Sequence, residues 1–293
     1  MSFIKKMPGW LKLLVKILVT GICLWYVSRK INWAQSFTII KQGNAFWLVA
    51  AMLLFIASKV VASFRLNTYF RNINLHLPEK SNLRLYWLGM FYNLFLPGGI
   101  GGDAYKIILL NRMYNFSAKQ LTAAILLDRV SGVVGLGLLA VAYYYFLFTG
   151  STLALLLVIA VAPGLFVYYI IVKKLFNAFL KSFWGTLWLG IAVQVLQAGC
   201  ALCIMQGLHV HGQQAAYTLI FLLSSIVVIL PVTIGPLGTR ELVFVWGSTA
   251  LLLDKNQSVS ISITFFIITL VVSLVGVLWV YKSPLGKQAP AVT

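Results

Sequence analysis

Long runs of apolar residues constrain this chain more than any other feature of its sequence. Six of them are long enough to cross a hydrocarbon core as helices, which takes about 20 residues. They cover residues 11–27, 44–64, 121–148, 153–172, 183–205 and 259–281. The alternating segments of about 10 residues that are typical of transmembrane β-barrels are missing. The pattern therefore predicts an all-α protein that crosses a membrane several times.

The composition agrees with this prediction and excludes a soluble protein. Hydrophobic residues make up 61% of the chain, charged residues 10%, and the mean hydropathy is +0.93, whereas soluble domains carry about 25% charged residues. We expect a single integral membrane domain over residues 1–293. No cofactor or metal is expected, because the glycines at 98–102 lack the Lys-Ser/Thr of a phosphate-binding loop, and His209 and His211 have no third ligand nearby.

Two further apolar stretches are broken by proline and glycine. Residues 85–96 run into PGGIGGD and residues 217–230 run into PVTIGPLG, so each is too short to cross a membrane alone. Such backbone forfeits helical hydrogen bonds, and it survives at membrane depth only where it is buried in protein or lines a wet cavity. We therefore predict two re-entrant hairpins in addition to six full transmembrane helices.

The two breaks resemble each other, since both begin with L-P-x-x-I-G, at residues 96 and 230. Each break follows two spans and precedes one, in residues 1–150 and again in residues 151–293. Three crossings in each half give the two halves opposite orientations. The sequence thus predicts an inverted repeat whose hairpins meet near mid-membrane, where secondary transporters with broken helices bind substrate.

Basic residues are distributed unequally between the two sides of this topology. Loops rich in lysine and arginine stay in the cytoplasm, so both termini are predicted to be cytoplasmic, in the cytoplasmic membrane. The basic side suits anionic lipid headgroups, whereas nucleic-acid binding would need a soluble domain to carry it. One side has fifteen such residues, Lys5, Lys6, Lys12, Lys16, Arg65, Arg71, Lys80, Arg84, Arg112, Lys119, Lys173, Lys174, Lys181, Lys282 and Lys287, and the other has four, Arg29, Lys30, Lys41 and Lys255.

Three of the five acidic residues in the chain lie at or near these membrane segments. Asp103 ends the first glycine stretch, Glu241 follows the second, and Asp128 lies inside the third span. A charged residue at membrane depth costs at least about 2.5 to 3.5 kcal/mol on insertion scales. Each of these acids therefore needs a partner or a function.

Each of the three acids has a basic neighbour. Lys106 follows Asp103 by one helical turn, so the two can pair on one face. Arg129 and Arg240 adjoin the other two acids directly, and adjacent helical residues point in different directions, so we expect partners on other elements. Two interpretations are open and do not exclude each other. The charges form internal ion pairs that hold the hairpins, or they line a cavity in which bases meet a phosphate and acids meet an amine.

Three segments, in order along the chain, resemble a known family. They are FYNLFLPGGIGGDAYK at 91–106, LLDRVSG at 126–132 and LPVTIGPLGTREL at 230–242. They are similar to the signature segments of the flippase-like membrane domain of bacterial lysylphosphatidylglycerol synthases, which also occurs as free-standing proteins. In the long members this domain moves an aminoacylated phospholipid between leaflets, while a separate soluble domain makes that lipid.

The resemblance implies translocation of a charged phospholipid or lipid-linked substrate across a bacterial cytoplasmic membrane. No soluble synthase domain is visible in the sequence, so aminoacyl transfer does not carry over, and a separate lipid-modifying enzyme is an expected partner. The residues that the resemblance assigns to the substrate site are Asn93, Pro97, Gly101, Asp103, Asp128, Arg129, Gly238, Arg240 and Glu241, with Lys106 where a base is expected.

Two other functions are open at this point. One is a membrane-embedded transferase, or an accessory subunit, in lipid or glycan modification, with Asp103 or Asp128 as base or metal ligand. Against it, the chain has no D-x-x-D or D-x-D pair to hold Mg²⁺. The other is a membrane scaffold that transports nothing, for which the buried charges would matter only for folding.

Overall fold

The structure, a computed structural model, describes residues 18, 21–22, 25–95, 101–229, 238–282 and 284–285. Every regular element within these residues is a helix, as the apolar pattern predicted. Residues 25–30 are helical. The helices that follow are α1 (Trp33–Lys41), α2 (Ala45–Asn72), α3 (Glu79–Phe95), α4 (Gly101–Tyr114), α5 (Ala118–Leu147), α6 (Thr152–Leu175), α7 (Phe183–Gly207), α8 (Gln214–Val228), α9 (Thr239–Ala250) and α10 (Lys255–Leu274), with short 3-10 helices at Asn177–Ser182 and Val275–Trp279.

Several of these helical segments are long and apolar enough to cross a membrane. Within the described residues there are five, with lengths of 24 to 31 residues, against the roughly 20 that a crossing needs. They confirm five of the six predicted spans. The remaining predicted span, at 11–27, lies mostly outside the described residues. The five segments are Ala45–Asn72, Ala118–Leu147, Thr152–Leu175, Asn177–Gly207 and Lys255–Trp279.

A pair of short helices flanks each break of proline and glycine. Helices α3 and α4 flank the first break, and α8 and α9 flank the second; none of the four exceeds 17 residues. The two helices of each pair pack against each other. For the first helix of each pair, the apolar pattern predicted bounds, at 85–96 and 217–230. It predicted no bounds for the second helix of either pair. The breaks themselves, at 96–100 with Pro97 and at 230–237, lie outside the described residues.

The bundle has two polar ends, and its long helices run alternately in one direction and the other between them. At one end, the side chain of Asn72, at the end of α2, donates a hydrogen bond to Ser182, just before α7. At the other end, the N–H of Asn32, before α1, donates to the side chain of Asn256 at the start of α10, over 2.8 Å. Loops that the predicted crossings place on one side of the membrane therefore share one end of the bundle.

Glycines bring α5 and α7 into close contact. A Cβ atom at Gly135 would lie 2.8 Å from the carbonyl carbon of Gly190, and one at Gly190 would lie 2.7 Å from the carbonyl oxygen of Ser131. Across the same interface, the side chain of Gln194 donates a hydrogen bond of 3.1 Å to the carbonyl of Gly132. Small residues drive helix association in membranes, because lipid chains are as apolar as the side chains they replace.

Replacing Gly135 by alanine should lower the thermal unfolding midpoint in detergent. The added methyl group would overlap the backbone of Gly190, and such overpacking costs about 1 to 3 kcal/mol. Gly137 lies on the same helix with open space where its Cβ would be, so Gly137→Ala is the matched control and should not lower the midpoint. Equal midpoints for the two variants would contradict the close contact between α5 and α7.

Candidate functional site

Charged side chains collect in the interior of the bundle. Charges that are removed from water need partners, because burying an unpaired charge is strongly unfavourable. The contacts that each buried charge makes therefore define what this interior can do. Six charged residues are each exposed to 9% or less: Arg65, Asp103, Lys106, Asp128, Arg240 and Glu241.

Asp103 lies in the first turn of α4 and is paired with two bases. The Nζ atom of Lys106, one turn later on the same helix, lies 3.2 Å from Oδ1, which confirms the pair predicted from their spacing. Arg129 on α5 forms an ion pair with Oδ2, and so finds its partner on another element, as expected for a residue adjoining another charge. The helix dipole also favours a carboxylate in the first turn of α4.

Asp128 pairs with a base that the sequence analysis placed elsewhere. The Nε atom of Arg65, on α2, lies 2.7 Å from Oδ1 of Asp128. The sequence analysis counted Arg65 among the basic residues beside the spans on the cytoplasmic side, and the end that it predicted for this span, at residue 64, is too early. Hydropathy falls after residue 64, but α2 continues to Asn72, so Arg65 is a helical residue that faces the protein interior.

Glycines make room for the guanidinium of Arg65 between α5 and α7. A Cβ atom at Gly132 would lie 3.2 Å from Nη1 of Arg65, and one at Gly190 would lie 3.4 Å from the same atom. A larger residue at Gly132 would crowd the guanidinium, whereas at Gly190 a Cβ atom would lie at an ordinary contact distance from it. The glycines that allow close helix packing thus also make the buried ion pair possible.

Asn93 and Gly101 lie at the first break, and Pro97 between them is outside the described residues. The side-chain oxygen of Asn93, on α3, accepts a hydrogen bond of 2.8 Å from the N–H of Gly102, which satisfies one of the free amides at the start of α4. A Cβ atom at Gly102 would lie 1.9 Å from the carbonyl oxygen of Gly89. The contacts at this break therefore fix how α3 and α4 cross and where the acid that follows is placed.

Glu241 is bound by neutral donors at the start of α9. Its Oε2 accepts a hydrogen bond of 2.7 Å from the N–H of Gly238, and its Oε1 accepts one of 2.8 Å from the hydroxyl of Ser262 on α10. Gly238 has a φ of +87°, a backbone conformation that favours glycine. The carboxylate thus caps its own helix and ties that helix to α10.

Arg240, next to Glu241, points to aromatic rings and forms no ion pair within the described part of the chain. Its guanidinium carbon lies 4.6 Å from the ring centre of Phe265 and 5.8 Å from that of Phe221. Its Nε atom is buried, with no hydrogen-bond partner among the described residues. The sequence analysis expected Arg240 to find a partner on another element, and that partner is a pair of aromatic rings instead of an acid.

Lys59 is a half-buried cation that the sequence analysis overlooked. It lies in the middle of α2, and its Nζ atom lies 4.4 Å from the ring centre of Phe55. The ring of Phe55 in turn meets that of Phe265, with 5.5 Å between centres. A signal was present in the sequence, because a lysine inside the predicted span 44–64 is as costly as the acids that were noticed.

The structure divides the predicted site residues into two groups, and α2 adds a cation to each. The carboxylates of the first group are engaged by bases, and that of the second by neutral donors. Among the described residues, no three His, Cys, Asp or Glu side chains come together as a possible metal site. The first group is Asp103, Lys106, Asp128 and Arg129 with Arg65, and the second is Gly238, Arg240 and Glu241 with Lys59.

Long apolar helices around buried charges define a multi-pass membrane protein with a polar interior. The chain matches the family model described as Lysylphosphatidylglycerol synthase TM region over residues 13–276. It therefore belongs to this family, as the three sequence segments indicated. Membership gives the protein a membrane role in lipid handling. No curated protein shows significant similarity to the chain.

Breaking the buried pair of Arg65 and Asp128 should destabilise the protein far more than breaking an exposed pair. Arg65→Met leaves an unpartnered buried carboxylate and should cost about 3 to 5 kcal/mol, and adding Asp128→Asn should restore much of that loss. The control is Arg71→Met, which breaks the pair with Glu79, whose two side chains are 52% and 38% exposed; it should cost less than about 1 kcal/mol.

Chemical unfolding of these variants in one detergent measures both effects. Losses that simply add in the double variant would show that Arg65 and Asp128 do not act as a pair.

Proposed function

We propose that this protein moves a phospholipid or lipid-linked substrate with a charged headgroup between the leaflets of a bacterial cytoplasmic membrane. The observation that carries this proposal is the buried charge network in which Asp103 is shared by Lys106 and Arg129. Ionisable groups inside membrane helices are rare, and they mark substrate and ion pathways. The role of the family in lipid handling supports the same conclusion.

The proposed topology has six crossings and two re-entrant hairpins, formed by α3 with α4 and by α8 with α9. The short lengths of these helices and their mutual packing support it. A further likeness supports an inverted repeat of residues 1–150 and 151–293. Asp103 is the third residue of α4, and Glu241 is the third residue of α9, so each break is followed by an acid at the same helical position.

We place the end of the bundle that carries the loops 73–78 and 176–182 in the cytoplasm, together with both termini. Without Arg65, which is buried, fourteen basic residues still lie on this side of the predicted topology against four on the other. The lysines and arginines at this end would rest on anionic headgroups of the inner leaflet.

In this mechanism the headgroup enters the polar interior while its acyl chains stay in the bilayer. Rocking of the two inverted halves against each other would expose the interior to each leaflet in turn, as in other carriers built from inverted repeats. The protein supplies fixed charges that replace the water that a headgroup loses at mid-membrane. A separate lipid-modifying enzyme would supply or consume the lipid.

Replacing Asp103 by asparagine should slow lipid movement in reconstituted vesicles. Each hydrogen bond to a charged group is worth about 1.5 to 3 kcal/mol, so the rate should fall roughly tenfold or more. The assay follows chemical quenching of tail-labelled phospholipids in the outer leaflet. Asp254→Asn is the control, since this acid only caps α10 at a polar end, where it accepts from the N–H of Gln257 over 2.9 Å.

Wild-type protein that moves no labelled lipid faster than protein-free vesicles would contradict the proposed function. Asp103→Glu keeps the charge and should keep most of the activity. Asp103→Asn protein that is unstable, yet transports normally per folded molecule, would assign this acid to the fold alone.

Single cysteines should report the proposed orientation in whole cells. In a variant without Cys23, Cys200 and Cys203, a cysteine at Ser151 should react with a membrane-impermeant maleimide in intact cells. A cysteine at Asn177, an exposed residue in the loop at the opposite end, should react only after permeabilisation. The reverse pattern would overturn the assignment of the cytoplasmic side.

A further inference from the structure

The interior of the protein contains more bases than acids. All five acidic residues of the chain lie among the described residues. Glu79 pairs with the exposed Arg71, and Asp254 caps α10, so these two acids serve the polar ends of the bundle. The charges that remain inside are three acids, Asp103, Asp128 and Glu241, and five bases, Lys59, Arg65, Lys106, Arg129 and Arg240.

Each of the two groups has one more base than it has acids, and in the second group the bases Lys59 and Arg240 form no ion pair with Glu241. The three interior carboxylates are engaged by the contacts given above, and neither of these two bases takes part in them. Neither base forms an ion pair with any described residue, and the stretches outside the described residues contain no Asp or Glu. Neither base therefore has an Asp or Glu side chain as a direct ion-pair partner.

Both cations lie against one cluster of phenylalanine rings, formed by Phe55, Phe221 and Phe265. The three rings meet edge to face, with 5.5 Å between the centres of Phe55 and Phe265 and 4.8 Å between those of Phe221 and Phe265. Lys59 contacts the first ring and Arg240 the other two. Cation–π contact compensates only part of the unfavourable transfer of a charge to mid-membrane.

Neither cation can escape to water easily. Lys59 is about 20 Å from either end of α2 at 1.5 Å per residue, which is beyond the reach of a lysine side chain towards the interface. Arg240 is 8% exposed, and its Nε atom is buried without a partner among the described residues. Arg240 is thus buried and Lys59 half-buried, and both positive charges lie next to an apolar wall.

We propose that Lys59 and Arg240 together bind the phosphate of a lipid whose headgroup carries net negative charge. The inference rests on the proposed function and adds the substrate class: an anionic phospholipid. A guanidinium offers a planar fork of donors to phosphate oxygens, and an ammonium adds a compact charge. A headgroup with a further amine would bring more positive charge to an interior whose carboxylates are already engaged.

Binding of short-chain lipids to the purified, delipidated protein tests this site. Dioctanoyl phosphatidylglycerol should bind about tenfold or more tightly than dioctanoyl phosphatidylcholine, because both present a phosphate but the choline ammonium brings a like charge next to the two cations. Lys59→Met and Arg240→Met should each remove this preference, whereas Lys59→Arg should keep it. Arg71→Met is the matched control on the same helix and should bind as wild type does. Equal binding of the two lipids by the wild type, or an unchanged preference in both methionine variants, would overturn the proposal.

Stability of the lipid-free protein gives a readout that does not depend on binding. Because Lys59 forms no ion pair with a described residue, Lys59→Met should raise the thermal unfolding midpoint of the delipidated protein, in contrast to Arg65→Met, which should lower it. A midpoint that falls in Lys59→Met would show that the lysine is already compensated, and would overturn the proposal.

Two further experiments are needed. The first asks whether the site binds a lipid or a free phosphate compound, and the second tests the proposed function separately from this site. Glycerol phosphate should compete with the short-chain anionic lipid only at about tenfold or higher concentration, since it lacks apolar chains to bury; equal potency would overturn the lipid assignment.

In vesicles, tail-labelled phosphatidylglycerol should move faster than tail-labelled phosphatidylcholine. If no lipid moves but anionic binding still requires both cations, the proposed function fails and this site stands. If lipids move without regard to charge, the site fails.

Discussion

A charge inside a membrane must find its partner within the protein, because lipid chains offer none. Asp128 and Arg129 meet this requirement from adjacent positions on α5, and adjacency directs them to different neighbours. Asp128 pairs with Arg65 on α2, and Arg129 pairs with Asp103 on α4. These two consecutive residues thus tie α5 to the long helix α2 and to α4, the short helix that follows the first break. The position of α4 depends on this link.

Glycine makes these links geometrically possible. Ion pairs between helices need backbones that approach closely; the contact of Gly102 with Gly89 is too tight for any side chain, and a side chain at Gly132 would crowd the guanidinium of Arg65. In a soluble protein, apolar burial would pull such helices together; in a membrane, the same apolar side chains are equally well solvated by lipid. The small residues and the buried charges are therefore parts of one arrangement, in which close packing admits the charges and the charges fix the packing.

Hydropathy predicted the long helices well, because it reports which residues tolerate lipid. It could not show where a helix remains inside the protein after it turns polar, and so the predicted span ended before Arg65 although α2 runs on to Asn72. The pair of Asp103 and Lys106 was predictable because it is local. The pair of Arg65 and Asp128 was not, since it depends on how two helices are rotated about their axes. Lys59 was overlooked because its neighbours in the predicted span 44–64 are apolar.

The two acids that follow the breaks occupy equivalent places but are compensated differently. Asp103 is bound by two bases, whereas Glu241 is bound by the N–H of Gly238 and the hydroxyl of Ser262, both neutral. Neutral donors satisfy a carboxylate without using a base, so Arg240 is left to the phenylalanine rings. In the proposed inverted repeat, the acids of the first half would therefore be closed by their own bases, while Lys59 of the same half stays unpaired. The second half would keep one cation available, at the depth where a headgroup has lost its water and needs a counter-charge.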